Sequence, residues 1–149
     1  MEEPSSKPSK PDQLIADFFK SQTVFTLATS FQDQPHCATC FYAYSEEYNM
    51  LIFKSSEKTD HIQQSLANSL VGGSILPDKL QTGKIKGIQF KGRLIVSEGQ
   101  CLSDLKKTYY AKYPFALAMG GEIWTIALNW IKFTDNTLGF GKKIKWEDA

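Results

Sequence analysis

The segment from Phe53 to Thr59 carries the side chains that are best suited to bind an anion. Its sequence, Phe-Lys-Ser-Ser-Glu-Lys-Thr, places two lysines and three hydroxyl groups between a predicted strand and a predicted helix. Ammonium groups, hydroxyl donors and the free N–H groups of a helix N-terminus are the ligands that a phosphate monoester requires. Lysines at a strand end are also commonly solvated, so the pattern alone leaves two interpretations open, a phosphate site and a solvated strand end.

The cysteines and histidines do not form a metal or catalytic pattern. Cys37 and Cys40 lie in a predicted strand, where positions three apart point to opposite faces. Zinc would need two further ligands, and a redox pair of the thioredoxin type would begin a helix. His36 and His61 lie in different predicted elements. We therefore expect reduced thiols, as in a cytoplasmic protein, and neither a bound metal nor a catalytic histidine.

Composition places these residues in one soluble domain. The chain has 149 residues, of which 42% are hydrophobic, and 17 basic and 16 acidic side chains leave a net charge of +1. A chain of this length buries about 70% of the surface that it exposes when unfolded, so its core needs no disulfide bond or structural metal. The near-neutral charge argues against nucleic acid and anionic membranes as partners. The charge is uneven, because residues 1–78 carry a net −5 and residues 79–149 a net +6.

The pattern of apolar residues predicts a mainly β domain over residues 12–149 after a flexible tail, residues 1–11. The predicted strands share alternating β-branched and aromatic residues and cover residues 23–30, 36–44, 48–54, 70–76, 86–98 and 122–133. A turn over residues 32–35 joins the first two strands. Helices are predicted over residues 12–21, after Thr59 with an apolar stripe of Ile62, Leu66 and Leu70, and over residues 103–112. About six strands with helices in the connections predict a closed or partly closed antiparallel barrel.

The last predicted strand, residues 122–133, has apolar residues on both faces. One face carries Trp124, Ile126, Leu128 and Trp130, and the other carries Ile123, Ala127, Ile131 and Phe133. A single barrel core covers one face of a strand, so the second face must be covered by something else. A second subunit and the chain's own helical region, residues 103–119, are both consistent with the pattern.

The order of these elements resembles the flavin-binding split barrels of the pyridoxamine phosphate oxidase-like superfamily. The resemblance rests on the strand segments Thr-Leu-Ala-Thr, Pro-His-Cys-Ala-Thr-Cys-Phe-Tyr and Leu-Ile-Phe-Lys-Ser-Ser, and on Glu-Lys-Thr-Asp-His-Ile at the start of a helix. Two segments are closer to the small YhbP family: residues 85–92, Ile-Lys-Gly-Ile-Gln-Phe-Lys-Gly, and residues 131–143 with Trp146. The resemblance covers residues 12–146.

The resemblance implies a six-stranded antiparallel split barrel with flanking helices that forms a homodimer and binds FMN in two clefts at the subunit interface. In that superfamily a basic residue at the start of the helix after the third strand holds the FMN phosphate, and Lys58 matches it. The other positions that match FMN contacts are Lys54, Ser55 and Ser56 beside the phosphate, Ala38, Thr39 and Cys40 along the flavin ring, Gln89 at ring or ribityl oxygens, and Asn136 and Lys142, which reach the partner's flavin.

The chain departs from true pyridoxamine phosphate oxidases near its end. Those enzymes have an Arg-x-His segment that binds the substrate phosphate, whereas this chain has no histidine after His61 and Arg93 is its only arginine. Lysine does not replace the bidentate guanidinium. Pyridoxamine phosphate is therefore not the expected substrate, although lysines can attract another small anion.

Two functions follow from the resemblance. The first is an FMN-dependent oxidoreductase, in which the flavin carries the hydride or electron transfer and no side chain is assigned as acid or base. The alternative is a non-catalytic module that binds flavin, haem or another phosphorylated metabolite in the same cleft, as a sensor or carrier. A structural dimer without a cofactor is a third hypothesis.

Overall fold

The computed structural model describes residues 9–138 and 142–148. Of the flexible tail expected over residues 1–11, residues 1–8 therefore lie outside the described residues. In the described part, the carbonyl oxygen of Ser9 accepts a hydrogen bond of 2.8 Å from the indole of Trp146. The beginning of the described chain is thus tied to the last strand.

Seven antiparallel strands form one sheet, and six of them close into a barrel. They are β1 (Val24–Phe31), β2 (Gln34–Ser45), β3 (Met50–Ser55), β4 (Leu70–Ile75), β5 (Lys86–Ile95), β6 (Glu122–Asp135) and β7 (Lys142–Glu147). The order is β3-β2-β1-β4-β5-β6, and pairing of β3 with β6 closes the ring. This confirms the predicted six-stranded antiparallel barrel. β7 pairs with β6 as an addition to the predicted strands.

The hairpin between β1 and β2 is tighter than its sequence predicts. Gln32 and Asp33 have φ values of 49° and 61°. Positive φ at both central residues is typical of a two-residue turn that matches the twist of the strands. The predicted turn over residues 32–35 is therefore too long, because Gln34 pairs with Phe31 and Pro35 with Ser30 as parts of the ladder.

A β-bulge changes which residues of β6 face the barrel core. Lys91 of β5 pairs with Trp130 and Gly92 pairs with Leu128, so Asn129 is an extra residue in β6. The extra residue reverses the alternation of the strand. The residues of β6 that belong to the barrel core are consequently Ile126 and Leu128 before the bulge and Ile131 and Phe133 after it. The prediction of two continuous apolar faces on this strand was wrong.

Three helices and a 3₁₀ segment cover the barrel. They are α1 (Gln13–Ser21), α2 (Asp60–Ala67), α3 (Gly99–Lys112) and the 3₁₀ segment Pro114–Ala118. Asp12 caps α1 by accepting a hydrogen bond of 2.8 Å from the N–H of Leu14. The stripe predicted on α2 was wrong in two positions, because Leu66 is exposed and Leu70 begins β4. The buried face of α2 consists of His61, Ile62 and Ser65.

A second, smaller core lies between α3 and the outer surface of the barrel. Ala43 of β2 and Ile52 of β3 pack there against residues of α3, of the 3₁₀ segment and of the link between them, namely Leu105, Tyr109, Tyr113 and Ala116. Ile123, at the beginning of β6, packs against the same cluster. The chain's own helical region thus covers the outward side of β6 at its beginning.

We expect two neighbouring glycines of β4 to differ in their tolerance of alanine. A Cβ atom on Gly73 would collide with the Phe90 ring and the carbonyl oxygen of Thr26, whereas one on Gly72 would come no closer than 3.4 Å, to the carbonyl oxygen of Phe90. Overpacking of a core costs about 1–3 kcal/mol. Gly73→Ala should therefore lower the free energy of unfolding in urea by that amount, with Gly72→Ala as the matched control. Equal losses in the two variants would contradict the packing described for β4.

Candidate functional site

Residues 56–59, which connect β3 to α2, form a corner at the N-terminus of α2, and no side chain in the described part of the chain caps this helix. The hydroxyl of Thr59, the N-cap residue, donates to the carbonyl oxygen of Ser56 at 2.8 Å and makes no capping bond to α2. The first backbone bond of this helix runs from the N–H of Gln63 to the carbonyl oxygen of Thr59. Within the described residues, the N–H groups of positions 60–62 therefore have no hydrogen-bond acceptor. These groups and the positive end of the helix dipole can receive an anion.

Opposite charges flank this corner. Lys58 is exposed immediately before the cap, and its N–H donates to the hydroxyl of Ser56 at 3.2 Å. Asp60 is exposed in the first turn of α2. An ammonium group here adds to the attraction of the helix N-terminus for an anion, and the Asp60 carboxylate opposes it. The corner of one chain thus offers open donors but little net positive charge.

His61 forms a polar cluster on the inner side of the corner. Its ring is nearly buried, and its Nε2 lies 2.7 Å from the hydroxyl oxygen of Ser55 and 3.9 Å from the sulfur of Cys40. Burial lowers the pKa of His61, with a smaller contribution from His36, and burial raises the pKa of the Cys40 thiol. A neutral Nε2 can accept a hydrogen bond from the Ser55 hydroxyl. The cluster therefore holds a neutral imidazole and a neutral thiol, rather than the ion pair of a cysteine nucleophile.

His61 was not among the site residues predicted from the sequence. The family resemblance placed Cys40 and Ser55 among the FMN contacts, and the structure brings both to this ring. The sequence feature that could have predicted its place in the site is the position of His61 two residues after the N-cap Thr59, in the first turn of α2. A side chain in the first turn of a helix lies beside the strand end that leads into the helix.

The three candidate residues of β2 are divided between two faces of the sheet. Cys40 points towards His61, and strand alternation places Ala38 on the same side and Thr39 on the outer face. The outer residues Thr39, Thr26, Ser74 and Gln89 occupy one register row across β2, β1, β4 and β5. Three strand spacings, roughly 14 Å, separate Thr39 from Gln89. The structure thus places Gln89 in line with Thr39, away from the cluster of Cys40.

Lys54 lies on the opposite side of β3 from the corner. Its ammonium donates to the carbonyl oxygens of Ala116 at 2.7 Å and Met119 at 2.8 Å, and lies 5.2 Å from the centre of the Tyr110 ring. Adjacent residues of a strand face opposite ways, so Lys54 and Ser55 cannot serve one ligand side by side. The expected support of a phosphate by Lys54 does not fit this position, where Lys54 fixes the 3₁₀ segment to the barrel.

Asn136 and Lys142 lie at the far end of β6 from the corner. The amide oxygen of Asn136 accepts a hydrogen bond of 2.9 Å from the N–H of Ile85, while Lys142 begins β7 and pairs with Asp135. The other end of the 14-residue β6 pairs with Ser55. At about 3.3 Å per residue this strand spans roughly 40 Å. Asn136 and Lys142 can therefore meet such a corner only from a second copy of the chain.

Comparison of the chain with known proteins gives close relatives. No family model matches the chain. The UPF0306 protein plu4501 of Photorhabdus laumondii is 38% identical over 135 residues, which cover 91% of this chain and 94% of that protein. The UPF0306 protein YhbP of Salmonella paratyphi C is 36% identical over 132 residues, which cover 89% of this chain and 90% of that protein. This chain belongs to the UPF0306 (YhbP) family.

Solved structures share the fold of this YhbP-family protein at low sequence identity. A haem-binding protein from Mycobacterium smegmatis has a TM-score of 0.73 at 14% identity, and the match covers 85% of this chain and 53% of that one. An FAD-binding protein from Mesorhizobium loti has a TM-score of 0.64 at 17% identity, covering 83% and 94%. A Listeria innocua protein named after pyridoxamine 5'-phosphate oxidase has a TM-score of 0.62 at 14% identity, covering 81% and 95%. The YhbP-family chain therefore has the split-barrel fold of the pyridoxamine phosphate oxidase-like proteins.

Two further observations concern other kinds of site. Within residues 9–138 and 142–148, none of the helices of this YhbP-family chain has the length and apolar character that a bilayer crossing requires. In the same ranges, no group of three or more histidine, cysteine, aspartate or glutamate side chains is arranged to hold a metal ion.

The buried, neutral His61 predicts a loss of stability in mild acid. Because its pKa is lowered in the folded protein, the unfolded chain binds the proton more readily. The free energy of unfolding should therefore fall as the pH drops below about 6.5, and level off below the folded pKa. Urea unfolding between about pH 7.5 and pH 5 should show a weaker pH dependence for His61→Gln than for the native chain. An unchanged slope would mean that other groups cause the loss.

Proposed function

We propose that this YhbP-family protein binds FMN, with the FMN phosphate at the corner between β3 and α2. The observation that carries the proposal is the uncapped N-terminus of α2 beside the exposed Lys58. The residues present fit a phosphate monoester, because open N–H groups, the Ser56 hydroxyl and one ammonium group come together there. The shared fold with a flavin-binding protein supports the choice of cofactor.

The chain's own residues would bind and orient the cofactor. Ser56, Lys58 and the first turn of α2 would hold the phosphate, and backbone groups of residues 38–40 would meet the edge of the flavin ring. His61 acts here as a positioning residue, since its Nε2 contacts both Ser55 and Cys40. Bound FMN would supply hydride or electron transfer, so the protein would act as an oxidoreductase. Its barrel and helices would exclude water from the ring.

The proposed site includes a second copy of the chain. A contiguous set of large apolar side chains, which we call the apolar band, is about half exposed or more: Phe41, Phe115, Leu117 and Met119. The Phe41 and Phe115 rings lie 6.4 Å apart, and Phe41 lies on the outer face of β2 next to Thr39. Such a band is costly to leave in water and is typical of an interface. We infer a homodimer in which the band is covered and the partner presents the end of its β6 and the start of its β7 to the corner.

The substrate is proposed only as a small anion, in a cytoplasmic setting. Lysines of the partner's β7, beginning at Lys142, would supply positive charge near the corner. Arg93, the one arginine of the sequence, lies on β5, where its guanidinium is 3.4 Å from the Ser69 hydroxyl. It is therefore in a different part of the barrel from the corner, and pyridoxamine phosphate does not fit as the substrate.

A second candidate function is a non-catalytic module that binds flavin, haem or another phosphorylated metabolite as a sensor or carrier. Two observations favour haem within this class. A haem-binding protein shares the fold, as does HutZ, a haem storage protein from Vibrio cholerae. His36 is also half-buried on the same side of β2 as Cys40, so its imidazole is accessible to a planar ligand.

Three variants test the phosphate site. Lys58→Ala should weaken FMN binding about tenfold or more, because a hydrogen bond to a charged group contributes about 1.5–3 kcal/mol. Asp60→Asn should strengthen FMN binding, because it removes the opposing carboxylate from the same turn. Lys107→Gln, at an exposed lysine of α3 outside the apolar band, is the control and should leave FMN affinity unchanged. Titration followed by flavin fluorescence gives the affinities. Equal affinity of Lys58→Ala and the native chain would place the phosphate elsewhere.

Ligand titration and flavin reduction of the purified native protein distinguish the two candidate functions. The protein is titrated with FMN and with haem, and the FMN complex is mixed with reduced nicotinamide nucleotides without oxygen. Bleaching of the flavin absorption supports the oxidoreductase, whereas a stable oxidised flavin or preferred binding of haem supports the module. Absence of binding to either ligand at micromolar concentration would contradict both.

The apolar band predicts how the dimer can be broken. Leu117→Glu combined with Met119→Glu places two charges where the partner would cover apolar side chains, so the variant should be a monomer in size-exclusion chromatography with light scattering. Leu66→Glu, at an exposed leucine of α2 outside the band, is the matched control and should remain a dimer. A native protein that is monomeric at all concentrations would overturn the proposed two-chain site.

A further inference from the structure

A cavity of about 390 Å³ lies between α3, the end of β5 and the beginning of β6. This volume is near the lower end of the range of small-molecule sites, roughly 300–1,000 Å³. Leu102 of α3, Ile123 of β6 and Val96 form apolar parts of its wall. Val96 remains 75% exposed, so its apolar surface is available to a ligand. The cavity is outside the corner that we assign to FMN.

Two opposite charges line this cavity without neutralising each other. Lys106 comes from α3 and Glu122 from the first position of β6. Among the described residues, neither takes part in an ion pair. The hydroxyls of Ser97 and Thr125 lie 2.8 Å apart, and Thr125 donates to the carbonyl oxygen of Ile95. Because these two hydroxyls already have partners, recognition of a polar ligand falls mainly to Lys106 and Glu122.

The wall of the cavity is held by contacts that do not need a ligand. The Trp124 indole donates to the carbonyl oxygen of Ser55 at 2.9 Å. The Lys54 ammonium, held by two carbonyl groups, lies over the Tyr110 ring, which also lines the cavity. Gly121 has a φ of 102°, and a Cβ atom there would come within 3.2 Å of the Ser55 backbone. A preformed cavity needs little ordering of the protein when a ligand binds.

We propose that this cavity binds a small zwitterion with an apolar side chain, of the class of the apolar α-amino acids. The ligand carboxylate would pair with Lys106, its ammonium group with Glu122, and its side chain would pack against Leu102 and Ile123. A zwitterion can pair with both exposed charges at once, whereas a simple acid or amine can pair with only one of them. The assignment does not rest on the binding of FMN.

A charge-resolved ligand series tests the proposal. Phenylalanine, 3-phenylpropionate and phenethylamine share an aromatic side chain and differ in their charged groups. Titrations followed by amide chemical shifts in two-dimensional NMR should give the tightest binding for phenylalanine, by about 1.5- to 5-fold for each charged contact. The shifts should centre on Ser97, Leu102 and Gly121. Equal binding of the three ligands, no binding at millimolar concentration, or shifts centred elsewhere would overturn the proposal.

Matched variants assign the two contacts. Lys106→Gln should reduce phenylalanine binding to about the level of phenethylamine, and Glu122→Gln should reduce it to about the level of 3-phenylpropionate. Lys107→Gln is the control, because Lys107 is exposed on the same helix and does not line the cavity. FMN affinity should be unchanged in all three. A loss of phenylalanine binding in Lys107→Gln equal to that in Lys106→Gln, or a parallel loss of FMN binding, would contradict a separate zwitterion site.

Discussion

Closure of the barrel along β6 is the constraint on which the rest of the structure depends. This strand pairs with β3, β5 and β7. Its apolar residues can point into the core along its whole length because the bulge at Asn129 shifts the alternation of inward and outward side chains by one residue. Gly92 makes the change sterically feasible, since a Cβ atom there would collide with the carbonyl oxygen of Ala127. With the bulge, Leu128 and Ile131 belong to one continuous core. Without it, half of the apolar residues of β6 would point out of the barrel.

The same strand determines what lies near the candidate sites. The beginning of β6 pairs with Ser55 and so stands next to the corner before α2, while Glu122 and Trp124 also line the cavity of Lys106. Asn136 directly follows the end of β6, and its side-chain amide oxygen accepts a hydrogen bond from the N–H of Ile85. One strand thus separates two groups of residues that the family resemblance assigns to one cofactor. A homodimer reconciles them, because it can place the end of one β6 beside the start of another.

Patterns that depend on neighbours in the sequence predicted much of this fold. The Asp12 cap and the alternation of Ile88, Phe90 and Leu94 are local signals, and both agree with the structure. The sequence pattern alone did not show the direction of Lys54 or the contact of His61 with Cys40, because each depends on residues far away in the chain. The Lys54 ammonium is bound by carbonyl groups more than 60 positions later. The bulge at Asn129 is marked in the sequence only on the partner strand, by Gly92, and not on β6 itself.

Charge explains why the proposed cofactor site and the proposed dimer belong together. FMN carries a phosphate of nearly two negative charges, whereas Lys58 and Asp60 nearly cancel each other in the corner of one chain. Open helix N–H groups add only about half a positive charge. The basic excess of the sequence lies in residues 79–149, which include Lys142 and Lys143 at the start of β7. In the proposed dimer the partner's lysines supply the missing charge, so FMN binding and dimer formation stabilise each other by linkage. A net charge of +1 is therefore compatible with a strong anion site, provided that two chains build it.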